Sequence, residues 1–291
     1  MKVCVRCEER FEALDWRCPK CGSGPEVHQG YLSFSAIRDD ESDGFEAGYF
    51  ENLAKVEEAN FWFQGRNRLL LWALKHYFPE CSGLLEVGCG TGFVLEGVRG
   101  RFPEMRISGS DVFASALPFA AKRLPGATLL QMDARHMPFD REFDVIGLFD
   151  VLEHIQEDEL VLSEIFRSVK PGGGIMLAVP QHPFLWSIMD EHSFHKRRYR
   201  RADLVSKVEG AGFRVLRTTS FVSLLLPLMY LSRSRHRIPA SKFDRLAEFR
   251  MGRALNGFLG AIMTLERWMI ESGVSLPAGG SLLVVAQRPR S

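Results

Sequence analysis

Leu84-Leu-Glu-Val-Gly-Cys-Gly-Thr-Gly92 decides the fold. Two leucines and a valine supply a short buried strand, and glycines at 88, 90 and 92 then let a ligand lie against bare backbone. Phe93, Val94, Val98 and Phe102 share one face at helical spacing, so a helix is expected from about Phe93. Its first amides would point at the ligand. A dinucleotide fingerprint needs Gly-x-Gly-x-x-Gly; here the third glycine comes one residue early and Phe93 holds the required place.

Outward from this loop, Arg106-Ile-Ser-Gly-Ser-Asp111 reads as a second strand ending in an acid, about 20 residues on. That interval lets a strand, helix, strand unit bring a carboxylate beside a ribose. Ala127 to Met132 is a third strand, followed by Asp133-Ala-Arg-His. By itself Asp133 could equally cap a turn. Phe143 to Phe149 is nearly all apolar, as a central parallel strand should be, and Asp150-Val-Leu-Glu-His-Ile155 follows it. A helix over Glu157 to Val169, the turn Lys170-Pro-Gly-Gly-Gly174 and a strand over Ile175 to Val179 come next. Little helical pattern stands between Asp133 and Phe143. A sixth strand is expected over Phe213 to Ser220 and a last one over Ser281 to Ala286.

The ordered series from Leu84 to Pro180 resembles the class I S-adenosylmethionine (SAM) methyltransferases, and Asp150 to Ile155 is similar to a segment common in their small-molecule members. The resemblance implies a doubly wound, mainly parallel α/β sheet of seven strands. It implies a cofactor set of Glu86, Gly88, Gly90, Gly92, Asp111, Val112, Met132, Asp133, Ala134, Phe149 and Asp150, with S-adenosylhomocysteine (SAH) as product. Asp111 would accept from the ribose hydroxyls and Asp133 from the adenine amino group, with Met132 and Ala134 along the ring. A helix ahead of the first strand closes over the cofactor in many relatives, so Arg66 is a candidate for the SAM carboxylate, or a solvated arginine. Residues 51 to 77 carry a helical pattern, in which Trp62 and Phe63 read as packing.

Methyl transfer needs alignment and exclusion of water rather than a metal. An oxygen acceptor must lose a proton, which makes histidines informative. His154, His182 and His192 are the candidates, and Asp190 with His192 or His195 would make an oriented base. His182, His192 and His195 lack the spacing of a helical metal pair. His195-Lys-Arg-Arg-Tyr-Arg-Arg201 and Arg233-Ser-Arg-His-Arg237 read either as solvated helix ends or as a phosphate-recognising patch.

Ahead of this domain, Cys4, Cys7, Cys18 and Cys21 form two Cys-x-x-Cys pairs ten residues apart. Four thiolates suit tetrahedral Zn²⁺ at a closed, structural site, and the stretch resembles a zinc ribbon. Disulfides are the alternative, which a cytosol would keep reduced. Cys81 and Cys89 read as packing. The expected organisation is a zinc-ribbon-like module over 1–34, an acidic linker over 35–50 and the methyltransferase domain over 51–291.

Between strands six and seven lies an apolar helical insertion, about 221–275, containing Phe221-Val-Ser-Leu-Leu-Leu-Pro-Leu-Met-Tyr-Leu231 and a helix from about Arg253 to Ile270. It reads as a lid, a core or dimer surface, or a lipophilic pocket for a lipid-linked substrate at a membrane surface. Net charge is +1 over 291 residues, so no global field draws the protein to nucleic acid or anionic lipid. No signal peptide and no membrane span is legible, and a cytoplasmic, at most membrane-peripheral, protein is expected. Three readings follow: a methyltransferase for a small-molecule or lipid-linked acceptor at oxygen; a zinc-ribbon RNA methyltransferase; and a non-catalytic binding protein with a degenerate SAM domain. The neutral charge and Asp150-Val-Leu-Glu, where amino-methylating enzymes on bases often carry Asn/Asp-Pro-Pro-Tyr, stand against the second.

Overall fold

The computed structural model describes residues 1–37, 48–235 and 250–290, so most of the linker and the basic stretch beyond Arg235 lie outside the described residues. Small strands β1 (Lys2–Val3) and β2 (Arg10–Phe11) form a hairpin of their own. The hairpin β3 (Glu26–His28) and β4 (Tyr31–Ser33) precedes helices α1 (Tyr49–Glu57) and α2 (Phe61–Tyr77). The helical pattern over 51 to 77 is thus broken once. Asn60 caps α2 by accepting from the Trp62 amide at 2.8 Å.

Then follow β5 (Gly83–Val87), α3 (Phe93–Arg101), β6 (Arg106–Asp111), α4 (Leu117–Arg123), β7 (Thr128–Gln131), β8 (Phe143–Phe149), α5 (Asp158–Ser168) and β9 (Val169–Pro180). The chain closes with α6 (Ile188–His192), α7 (Arg201–Gly210), β10 (Arg214–Phe221), α8 (Leu226–Arg235), α9 (Arg253–Glu271) and β11 (Ser281–Gln287). Residues 133–142 hold no helix, as their sequence suggests.

The sheet order is β10-β11-β9-β8-β5-β6-β7-β4-β3. Strands β7, β6, β5, β8 and β9 are mutually parallel, and β11 runs antiparallel between β9 and β10. These seven are the strands expected from sequence. Among the described residues the sheet nevertheless has nine, because β4 pairs in parallel with β7 and β3 folds back on β4. The N-terminal segment is therefore built onto the sheet edge. The Val3 amide also donates to Pro138 O at 2.9 Å, and Trp16 packs edge-on to Phe34 and Phe139.

Alternate residues of each strand supply the two cores, as the pleat requires. Leu84, Val145, Met176 and Leu283 face α2, α3 and α9, packing with Leu70, Leu95, Val98, Leu259 and Met263. Leu85, Ile146, Leu177 and Leu282 face α5 and α7, packing with Val161, Ile165, Leu204 and Val208. Fully burying each such side chain contributes about 1.5–3 kcal/mol. This two-sided cover leaves the carboxyl ends of β5, β6 and β8 as the place where ligands bind.

Candidate active site

Beyond β5 the chain makes a loop of left-handed glycines: Gly88 at φ 73°, Gly90 at 50° and Gly92 at 79°. A Cβ on Gly88 would stand 2.3 Å from Val151 Cγ2, whereas one on Gly90 would meet no atom within 4 Å. Gly90 thus bares its backbone to a cavity of about 940 Å³. Gly92 does not line that cavity; it starts α3 against Ala120, so its part is packing rather than contact. The amides of Gly88 and Cys89 both donate to Ser110 O at 2.8 Å, which ties the loop to β6.

Asp111 is held where the spacing placed it. Its Oδ2 accepts from Gly90 N at 2.9 Å and its Oδ1 from Phe113 N at 3.0 Å. Each carboxylate oxygen has a further lone pair for a ligand. Glu86 is buried on the cavity wall and its Oε2 meets no hydrogen-bond partner among the described residues. Burial pushes its carboxyl well up, against the pull of Arg66. Val112, Met132, Ala134 and Phe149 line the same cavity.

Three of the expected cofactor residues, Asp133, Arg66 and Asp150, already have side-chain partners. Asp133 takes Arg135 in a fork, Nε to Oδ1 at 3.0 Å and Nη2 to Oδ2 at 2.8 Å. Burial would raise this carboxyl, but the bonds from Arg135 outweigh it and hold it below the ordinary range. Arg66 is not solvated: its guanidinium is buried, pairs with Asp150 and stands 4.5 Å over the Trp62 ring. Asp150 itself sits at φ 58°, a left-handed conformation uncommon outside glycine. Trp62 and Phe63 pack, and also line the cavity beside Arg66.

A contact that the sequence did not disclose closes the cofactor side. Glu57, at the end of α1, is buried and accepts from Thr91 Oγ1 at 2.5 Å and Arg123 Nη1 at 2.8 Å. Helix α1 is thereby pinned over the glycine loop. The three partners lie on α1, the loop and α4, too far apart in sequence for a motif to connect them.

The opposite wall carries the titratable cluster. Glu153, from the segment after β8, has no exposed surface, and neither carboxylate oxygen meets a hydrogen-bond partner on another described residue. Burial and the neighbouring Asp150 push its carboxyl well up. His195 Nδ1 lies 2.9 Å from Asp190 Oδ1, His195 Nε2 lies 3.9 Å from Glu153 Oε1, and the His154 and His195 rings meet edge to face at 4.7 Å. Asp190 is fully buried and also accepts from Arg198 Nε at 2.7 Å and from the Ser187 amide at 2.9 Å. Of the pairings read for Asp190, the structure selects His195. The signal was the capping-box spacing of Ser187 and Asp190, which fixes the carboxylate at the start of α6.

His154, exposed, lines the cavity as expected, but His182 and His192 do not. At His182 the backbone turns at φ 62° after β9 and the ring stacks on Phe184 at 4.9 Å. It faces a separate hollow with Arg200 and Arg201, where burial and nearby arginines lower its basicity. The basic run is neither solvated nor a phosphate patch as a whole. Arg197 pairs with Asp158 at 2.7 Å, Arg198 with Asp190, and Arg201 donates to Leu276 O at 2.5 Å, leaving Lys196 on the cavity wall. Arg233 and Arg235 close α8, whose side chains there, like His236 and Arg237, lie outside the described residues.

Away from the cavity, the four N-terminal sulfurs gather within 4.8 Å of one another. Cys4 and Cys21 Sγ are 3.6 Å apart and Cys7 and Cys18 Sγ 3.7 Å. A tetrahedron with Zn–S bonds of about 2.3 Å has edges near 3.8 Å, so the set fits the ion. Cys89 is buried in the glycine loop and Cys81 half-buried, its thiol pushed up to about 12 mainly by burial; both pack.

Comparison with known proteins agrees with this geometry. Residues 85–177 match the model of a family described as a methyltransferase domain. The chain is 29% identical over 165 residues to a Mycolicibacterium smegmatis protein named a probable S-adenosylmethionine-dependent methyltransferase, covering 55% of this chain and 62% of that one. It is 30% identical over 105 residues to trans-aconitate 2-methyltransferase of Variovorax paradoxus, covering 36% and 40%. The chain thus spans less than two thirds of either relative. A Haemonchus contortus phosphoethanolamine N-methyltransferase solved with S-adenosyl-L-methionine superposes with a TM-score of 0.55 at 18% identity, over 84% of this chain and 58% of that one, a likeness of fold. Residues 85–177 are a methyltransferase domain. The part of the chain that carries it is similar to S-adenosylmethionine-dependent methyltransferases.

Proposed function

We propose that the protein transfers the methyl group of SAM to an oxygen of a small-molecule or lipid-linked acceptor. The observation that carries the reading is one cavity with two unlike walls: Gly90, Asp111 and Glu86 on one side, Glu153, His154 and His195 on the other. SAM supplies a sulfonium methyl that leaves by in-line displacement with loss of charge. Asp111, against the bare backbone of Gly90, holds the nucleoside, while Arg66, paired with Asp150, stands ready for the amino-acid carboxylate. Helix α1, pinned through Glu57, keeps water out of this side. The acceptor's proton is handled on the histidine wall.

The mouth of the cavity supports a lipophilic acceptor. Leu225, Leu228, Met229 and Leu259, from the insertion between β10 and β11, line it. Outside, Leu255, Phe258, Leu265 and Trp268 of α9 are each more than half exposed, a face suited to the surface of a membrane. No described helix is long and apolar enough to cross one. Residues 1–34 hold a structural Zn²⁺ through Cys4, Cys7, Cys18 and Cys21 in this reading, in a reducing compartment such as the cytosol.

The test is calorimetric titration with SAH, followed by transfer of labelled methyl from SAM to phenols, hydroxy acids and lipid-linked phosphates. Micromolar SAH binding and O-methylated product are expected. Absence of SAH binding would sink the proposal; methylation of RNA alone would replace it.

A further inference from the structure

We infer that the acceptor wall binds a divalent cation through Glu153, His154 and His195, with Asp190 orienting His195 from behind. The inference deepens the function proposed above and rests on it for the cation's use, though not for its binding.

One ligand atom from each of the three residues lies within 4.8 Å of the other two. Bonds of about 2.1 Å set ligand atoms roughly 3.0–3.5 Å apart. His195 Nε2 and Glu153 Oε1 are already at 3.9 Å, and the His154 ring meets that of His195 at 4.7 Å. The electronic arrangement is the stronger argument. Asp190 accepts at 2.9 Å from Nδ1 of His195, which leaves the Nε2 lone pair facing a carboxylate. A cation between the two would take a lone pair from each. Arg198 does not supply it, because its guanidinium donates to Asp190 and to Gln181 O.

A carboxylate behind a histidine that in turn faces a metal is the usual support for such a ligand. Two imidazoles and one carboxylate leave open positions, and suit Mn²⁺, Fe²⁺, Co²⁺ or Zn²⁺ better than Ca²⁺. The local charges allow it: Asp150, Glu153 and Asp190 are set against Arg66 and Arg198. A cation there lowers the pKa of an acceptor hydroxyl. The O–H bond then breaks with its proton passing to water. The oxygen's electron pair forms the C–O bond as the C–S bond breaks, and the pair from that bond stays on the sulfur of SAH.

The experiment titrates Mn²⁺ into the full-length protein carrying one equivalent of zinc, which the four thiolates take up, and follows free Mn²⁺ by electron paramagnetic resonance. Mn²⁺ is chosen because thiolate sites favour softer ions and the ribbon will not compete for it. One saturable Mn²⁺ per chain is expected, weakened at least about tenfold in Glu153→Gln or His154→Ala while SAH binding is retained. If Glu153→Gln loses SAH binding through misfolding, the exposed His154 decides. No saturable binding by the wild type, or wild-type affinity in both variants, overturns the inference. A wild type that binds Mn²⁺ but not SAH would instead refute the function proposed above and leave the cation site standing.

Discussion

The two walls of the cavity are built by different means. The cofactor wall is mostly backbone and short spacing: glycines at 88 and 90, an acid at 111, and amides that hold that acid in place. The acceptor wall is made of side chains from distant segments, with Glu153 and His154 after β8 meeting Asp190 and His195 around α6. Chemistry shared by a class of proteins can reside in a local loop, whereas chemistry specific to one acceptor is assembled by tertiary contact.

The sharpest way to break this contrast is to damage one wall and measure at the other. His195→Ala is expected to lower methyl transfer by roughly 10²–10⁴-fold, the range for a lost proton-handling group. SAH affinity should stay within about twofold; if it falls as far as turnover, the walls are not separable.

Next in size is Asp111→Ala. Losing an ionised acceptor costs about 1.5–3 kcal/mol, so SAH affinity measured by calorimetry should fall roughly 10- to 150-fold. The Mn²⁺ titration should be unchanged.

Smaller still is the effect of the ribbon. Cys18→Ser should abolish stoichiometric zinc, read by metal analysis, and expose residues 1–34 to protease. SAH affinity should fall by less than in Asp111→Ala, because the ribbon touches the sheet edge and not the glycine loop.

A control far from both walls is Asp144, near the start of β8, which accepts from Ser82 N at 2.9 Å, Gly83 N at 2.9 Å and Lys170 Nζ at 2.7 Å. Burial raises its carboxyl, but the bonds from Lys170 and Ser82 win and the net shift is downward. A depressed folded value means its stabilisation is present above the unfolded value near pH 4 and is lost as pH falls through the folded one. Asp144→Asn should cost about 2 kcal/mol at pH 7 by chemical denaturation, and the difference from wild type should vanish toward pH 2. SAH and Mn²⁺ binding should not change.

The sequence disclosed the seven central strands because most of them are short apolar runs between turn signals, and the glycine-loop side of the cavity because the spacing of Gly88, Gly90 and Asp111 follows from one strand-helix-strand unit. It did not disclose β3 and β4 as sheet strands: Glu26–His28 and Tyr31–Ser33 are three residues each and acquire meaning only beside β7. Of the three histidine candidates only His154 lines the cavity, for a similar reason. Whether His182 or His195 enters the cavity depends on a left-handed turn at His182 and on a carboxylate fixed by the start of α6, neither of which has a period. Glu57 stands out from its helical stretch by no sequence signal, and only the fold puts it on Thr91 and Arg123.

The edge hairpin also sets an order of events during synthesis. Leu32 leaves the ribosome well before Leu130, its neighbour in the sheet, and at 5–20 residues per second the wait is roughly 5–20 s. Through that interval the hairpin has no sheet to join, but the four cysteines between 4 and 21 are already complete. With zinc bound as proposed, that segment settles first and holds its strands ready until β7 arrives. One edge of the sheet is then waiting before its neighbour exists, while the other is completed only when β11 is made.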